Sequence, residues 1–211
     1  MVNPETSLFT KPKNQIMNQK IKIGVIGAGR WGPNLIGAFN RMDGVELTRI
    51  ADINPIALQS LSNRFPTLQT TTSTEQLFED ESIDAIVICT PVETHMELVQ
   101  TSLSAGKHVF VEKPFGQDSE HCNQLCKLAD KNGLQILVGH VFLFNASIVA
   151  LKKIINSGEL GELLHLEAHR TNLGPVRKDV NAVWDLTSHD LSIFDFLLDD
   201  LPIEVSCIGS C

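Results

Sequence analysis

The chain lacks any apolar run approaching the roughly 20 residues a membrane-crossing helix needs. Its first stretch, MVNPETSLFTKPKNQIMNQK, lacks the apolar core of a signal peptide. The expectation is a soluble, cytoplasmic protein with residues 1–20 as a polar, flexible leader. Positive charge is also short: 17 Lys and Arg against 25 Asp and Glu leave a net charge of −8. Those cations are scattered, which argues against a nucleic-acid surface and means that any anionic ligand must be held by local groups. Cysteine is sparse, with five residues at 89, 122, 126, 207 and 211, an odd number spread widely, so no disulfide framework is expected. Cys122 and Cys126 fall one helical turn apart beside His121, but no second Cys or His pair has ligand-like spacing, and no metal site is expected. Repeats and low-complexity tracts are absent.

What is present is an apolar content of 43% in 211 residues, enough for one large domain, or one domain and part of a second. Short β-branched runs alternate with helical patterns. IKIGVI (21–26) precedes a helix over 31–42, VELTRIAD (45–52) a helix over 55–65, and a weak strand at 68–70 a helix start at 73–80. AIVIC (85–89), a helix over 92–106, KHVFVEK (107–113), a helix over 118–133 and LQILVGH (134–140) complete the series. Strand and helix in steady alternation predict a parallel sheet covered on both faces. The rhythm then changes to a helix over 147–158, a strand candidate over 162–171, a polar loop, a helix over 186–200 and a strand candidate over 203–210. These predict residues 143–211 as a partial α+β second domain, incomplete because two strands cannot make a stable sheet over two helices.

The stretch IKIGVIGAGRWG places Gly27, Gly29 and Gly32 as G-x-G-x-x-G after an apolar strand and before a helical pattern. Each glycine has its own task in a dinucleotide site. Gly27 permits the tight turn, Gly29 lets the backbone approach a pyrophosphate, and Gly32 lets helix and strand pack closely. Free amides and the positive helix end then meet the phosphates, which supplies local field in an acidic chain. Asp52 ends the second strand, where an acid accepts from the adenosine ribose. Ile53 and Asn54 follow it with no cation, so NAD is expected over NADP. In the plain alternative, Asp52 is a turn residue and the glycines serve packing alone. The fold class expected is α/β, a doubly wound parallel Rossmann sheet over 21–142, followed by the partial second domain.

Four segments carry a further resemblance: GAGRWG, CTPVETH (89–95), Glu112-Lys113-Pro114, and the D-x-x-x-H of Asp185 and His189. Together they resemble the glucose-fructose oxidoreductase, inositol dehydrogenase and MocA-like dehydrogenases, and NLGPVRKDVNAVWDLTSHD resembles their nucleotide-sugar 3-dehydrogenase branch. The resemblance implies an NAD-dependent dehydrogenase acting on a secondary hydroxyl of a sugar or nucleotide-sugar. It implies cofactor contacts from Gly27, Gly29, Arg30, Trp31, Gly32, Asp52, Thr90, Pro91, His95, Glu112 and Lys113, and catalytic roles for Lys113, Asp185 and His189. It also implies a homo-oligomer built through the second domain; the short second domain leaves a non-catalytic NAD-binding module as the alternative.

The residues themselves support the catalytic set. Lys113 ends an apolar strand at the carboxyl edge, where open α/β sheets bind ligands. Pro114 can make a cis bond. Asp185 and His189, four apart, would share one helical face, with Asp185 orienting the imidazole or a substrate hydroxyl. His189, with an ordinary pKa near 6.5, suits proton transfer from an alcohol, and Lys113 can stabilise the developing oxyanion. Either Lys113 or His189 could be the base. The plain alternatives are a solvated Lys113 and a surface His189–Asp190 pair on a helix with Leu186, Leu191, Phe194, Leu197 and Leu198 on its apolar face. His95, His140, His165 and His169 have weaker claims. Asn172, Arg177 and Lys178 could meet an anionic sugar from the polar loop.

Overall fold

A computed structural model describes residues 20–171 and 180–209. Its elements are β1 (Ile21–Ile26), α1 (Gly32–Phe39), β2 (Val45–Ala51), α2 (Pro55–Arg64), β3 (Gln69–Thr71), α3 (Glu75–Phe78), β4 (Ala85–Ile88), α4 (His95–Ser104), β5 (His108–Val111), α5 (Ser119–Asn132), β6 (Ile136–Val138), α6 (Ala146–Ser157) and α7 (Ser188–Leu198). Six strands make one sheet in the order β3-β2-β1-β4-β5-β6. Every pairing is parallel. Parallel neighbours need a crossover connection, so the helices are placed on the sheet faces. The winding direction reverses between β1 and β4, and a crevice opens there at the carboxyl edge.

Both faces of the sheet are buried, because successive side chains of a strand point to opposite sides. Val25, Ile50 and Val87 meet Ile36, Leu58 and Leu61 in one layer. Ile26, Ile86 and Ile88 meet Val99, Leu103 and Leu125 in the other. This double burial explains why the strands are continuous apolar runs rather than alternating ones. Each such side chain contributes about 1.5–3 kcal/mol of burial. The helix ends follow local chemistry: Asn54 accepts from the amides of Ile56 and Ala57 at the start of α2. Asp118 accepts from the His121 amide at the start of α5, which ends at Gly133 with φ 65°.

Beyond β6 the sequence expectation is partly corrected. α6 and α7 form and pack together. The strands expected over 162–171 and 203–210 do not: their described residues have no regular secondary structure. A strand is stabilised by its ladder to a neighbour, and no described strand lies beside either segment. The helix expected from residue 186 starts as a π turn, Val183–Thr187, leading into α7. Among the described residues no helix is long and apolar enough to cross a membrane.

Candidate active site

The turn after β1 is built by steric necessity at two of its glycines. Gly27 has φ +107°, and a Cβ there would lie 2.7 Å from the Cys89 carbonyl oxygen. A Cβ at Gly32 would lie 2.3 Å from the Gly27 carbonyl oxygen. Gly29 is different. A Cβ there meets nothing within 4 Å, so no protein atom requires glycine at that position. The amides of Gly29, Arg30 and Trp31 donate to no acceptor among the described residues. Trp31, at the N-cap of α1, supplies no side-chain cap. An eight-residue helix thus presents uncapped amides to open space, the arrangement that suits an anion.

Asp52 sits beside this turn at the end of β2. One carboxylate oxygen accepts from the Ala28 amide at 2.5 Å, and the other from the Asn54 amide at 2.7 Å. It therefore braces the glycine turn, and carboxylate lone pairs remain for further donors. The floor of the turn comes from β4: the Cys89 thiol donates to the Gly27 carbonyl at 3.0 Å. Burial first, then the Glu112 and Asp52 carboxylates, push that thiol up to about 12, so it stays protonated and serves as a donor. The sequence pattern offered no signal for this role.

Glu112 and Trp31, both expected as cofactor contacts, bond each other: the indole Nε1 donates to Glu112 Oε1 at 2.9 Å. Burial raises the Glu112 carboxyl above its ordinary range, opposed by that bond and by Lys113. The tie links the glycine turn to the end of β5. His95, expected among the cofactor contacts, is 1% exposed. Its Nδ1 lies 2.9 Å from the Pro114 carbonyl oxygen and its Nε2 2.9 Å from that of Thr90. Each ring nitrogen faces a backbone carbonyl oxygen, and a ring with a hydrogen on both nitrogens donates to both, leaving neither for a cofactor. Thr90 is half-buried and Pro91 exposed, at the mouth of the crevice.

Lys113 lies two residues past the end of β5, after Glu112, and the Lys113–Pro114 bond is cis. Its ammonium donates to the Asp185 backbone carbonyl at 2.6 Å and to Asp185 Oδ1 at 3.2 Å. The two side chains are only 15% and 27% exposed. The topology thus brings together residues 72 apart, and Asp185 bonds Lys113, a partner the sequence reading did not give it.

His189 lies in the first turn of α7, its ring edge-on to Phe142 with centroids 4.9 Å apart. Its Nδ1 is buried without a hydrogen-bond partner among the described residues, as is Nδ1 of His140. Burial, then the nearby cations Lys113 and Arg170, hold the His189 imidazole down to about 4, against the opposing pull of Asp190. The ring is therefore neutral at neutral pH with a nitrogen free to accept a proton. Burial and Lys113 also lower His140, which ends the loop after β6 in the same cleft. Asp190 pairs with Arg170 through two-pronged contacts of 2.8–3.1 Å. Arg170 also lies 5.1 Å over the Phe142 ring. Neither Phe142 nor Arg170 was visible as a site residue in the sequence, because what unites them is a loop packing on α7. His165 and His169 are exposed, each beside Glu167, away from the cleft. Asn172, Arg177 and Lys178 lie outside the described residues.

The strand order, the glycine turn and the acid at the switch point define the first part of the chain as a nucleotide-binding Rossmann domain. Residues 21–140 match the oxidoreductase family with an NAD-binding Rossmann fold, and residues 148–211 match the GFO/IDH/MocA C-terminal domain. The chain belongs to the Gfo/Idh/MocA oxidoreductase family. It is 29% identical over 195 residues to an inositol 2-dehydrogenase of Rhizobium meliloti, covering 90% of this chain and 58% of that one. It is 27% identical to a 1-carboxy-3-chloro-3,4-dihydroxycyclohexa-1,5-diene dehydrogenase of Comamonas testosteroni, covering 88% of this chain and 49% of that one. Among solved structures it is similar to an NAD-binding protein from Listeria innocua, with a TM-score of 0.79, 26% identity, and coverage of 86% and 56%. The chain spans about half the length of the curated relatives it matches.

Proposed function

We infer that this chain carries the cofactor site and catalytic residues of an NAD-dependent dehydrogenase that moves a hydride between the nicotinamide and a secondary hydroxyl. The observation that carries the reading is Gly29: open space where a side chain would fit, beside amides with no acceptor among the described residues, and with Asp52 alongside. NAD, when bound, supplies the hydride acceptor. The amides of Gly29, Arg30 and Trp31 hold its pyrophosphate, and Asp52 accepts from the adenosine ribose. With Ile53 and Asn54 beside that carboxylate, a 2′-phosphate finds repulsion and no cation, so NAD is preferred to NADP. Thr90 and Pro91 border the nicotinamide end.

At the reacting end, Asp185 aims the Lys113 ammonium, so Lys113 polarises the alcohol and stabilises the oxyanion. The neutral His189 takes the hydroxyl proton, and because its basicity is low the transfer relies on Lys113 stabilising the oxyanion as it forms. The named relatives are dehydrogenases of cyclic alcohols, which supports a ring polyol or sugar as substrate. The finer reading, a nucleotide-sugar oxidised in its sugar ring, rests on the NLGPVRKDVNAVWDLTSHD pattern. Calorimetric titration with NAD and NADP, followed by NADH formation across inositols, sugars and nucleotide-sugars, tests this. Lys113→Ala or His189→Ala should abolish turnover and leave NAD affinity within about twofold, since neither side chain holds the pyrophosphate. Full turnover by either variant would refute the role given to that residue.

A further inference from the structure

His95 is the feature of the cleft that the chemistry above leaves unused. Its ring is buried on the first turn of α4, and its two nitrogens face carbonyl oxygens of two separate loops. One carbonyl belongs to Pro114, the residue after Lys113. The other belongs to Thr90, the residue after Cys89, whose thiol and carbonyl lie against the glycine turn. Thr94, next to His95, secures the same loop: its hydroxyl donates to the Pro91 carbonyl at 2.8 Å and accepts from the Thr90 hydroxyl at 2.7 Å. α4 itself packs on β5, so the ring has a fixed base from which to hold both loops. Pro114 is buried, and a buried carbonyl without a donor is costly, so the ring bond is its means of satisfaction.

We propose that His95, with a hydrogen on each ring nitrogen, is a positioning residue with two separable legs: Nδ1 places Lys113 for chemistry by donating to Pro114, and Nε2 places the cofactor-facing loop by donating to Thr90. The proposal deepens the dehydrogenase reading and rests on it for its kinetic test. The legs can be cut one at a time, because the side-chain amide nitrogen of Asn lies as many bonds from Cα as Nδ1, and that of Gln as many as Nε2. His95→Asn keeps the Pro114 leg and drops the Thr90 leg; His95→Gln does the reverse; His95→Phe fills the space and drops both.

Losing one leg removes one buried hydrogen bond, an effect of up to about tenfold. His95→Asn should therefore keep kcat within about twofold and weaken NAD binding about tenfold, while His95→Gln keeps NAD affinity and lowers kcat about tenfold. Amide hydrogen exchange followed by mass spectrometry gives a readout that needs no turnover. Exchange should rise roughly three- to tenfold over residues 89–94 only in His95→Asn, and over residues 112–117 only in His95→Gln. Equal effects of Asn and Gln on both loops, or no effect on either, would overturn the proposal, and this holds even if His95→Phe fails to fold. Absence of turnover in the unaltered chain would count against the dehydrogenase reading instead, and the exchange pattern would still decide the role of His95.

Discussion

The three glycines of the turn after β1 look equivalent in the sequence, yet the structure assigns them opposite consequences when each is changed to alanine. At Gly32 the new methyl would sit 2.3 Å from the Gly27 carbonyl oxygen, a backbone atom that cannot swing aside. Overpacking of that kind costs about 3 kcal/mol, which for a chain of this size lowers Tm by about 6–12 °C. Gly27→Ala adds the strain of φ +107° to a 2.7 Å contact with Cys89 and should fall by at least as much. Gly29→Ala meets nothing within 4 Å and has no positive φ to lose. It should leave Tm unchanged or raise it slightly, by about 0.4–1 kcal/mol of reduced unfolded-state entropy. Its cost should appear only with ligand, because the methyl occupies the approach of the pyrophosphate, and NAD affinity should fall at least about tenfold. Thermal melts without ligand and calorimetry with NAD separate the two effects. If Gly29→Ala melts as early as Gly32→Ala, or binds NAD as tightly as the unaltered chain, the turn is a packing device and the site has been misread.

The low basicity of His189 makes stability depend on pH in a defined direction. Its folded value of about 4 lies below the ordinary 6.5, so the unfolded chain binds more protons between them. The contribution is therefore complete above 6.5 and lost as pH falls towards 4. For a half-buried ring this amounts to roughly 1 kcal/mol after solvent screening, and urea midpoints of His189→Gln should fall less between those pH values than those of the unaltered chain. Lys107 is a second buried cation, 6% exposed, donating to the carbonyls of Asp80 and Ile83 at 2.8 Å each. Lys107→Met should lose about 1–3 kcal/mol in urea unfolding by stranding the Ile83 carbonyl, while that of Asp80 keeps the Ile83 amide, with NAD affinity of the folded protein unchanged. Equal stability in the two chains would show that the Ile83 carbonyl finds another donor.

Much of the first part of the fold was legible because its signals are local. Apolar runs such as AIVIC mark strands buried on both faces, Asn54-Pro55 marks a helix start, and the spacing from Gly29 to Asp52 spans one β-α-β unit. The site was legible only as a set of names. The sequence placed Asp185 and His189 on one helical face with the carboxylate orienting the imidazole or a substrate hydroxyl; it carried no sign that the carboxylate bonds Lys113 or that the imidazole packs on Phe142. His95 looked like a cofactor contact because it follows CTP, but burial turned its ring to two carbonyls. The expected strand over 162–171 has an alternating pattern, yet pairing decides a strand, and among the described residues neither it nor the segment expected over 203–210 pairs with another strand.

What the sequence determined by itself is whatever depends on neighbours along the chain: the strand and helix order, the caps, the glycine turn and the acid that follows it. Tertiary structure decided what each polar group touches. Lys113 and Asp185 are 72 residues apart, and His95 reaches Pro114 across 19, so no local pattern encodes those partners. They are fixed by the parallel order of the strands, which gathers separate loops at one edge of the sheet, where burial leaves each polar atom few choices of partner.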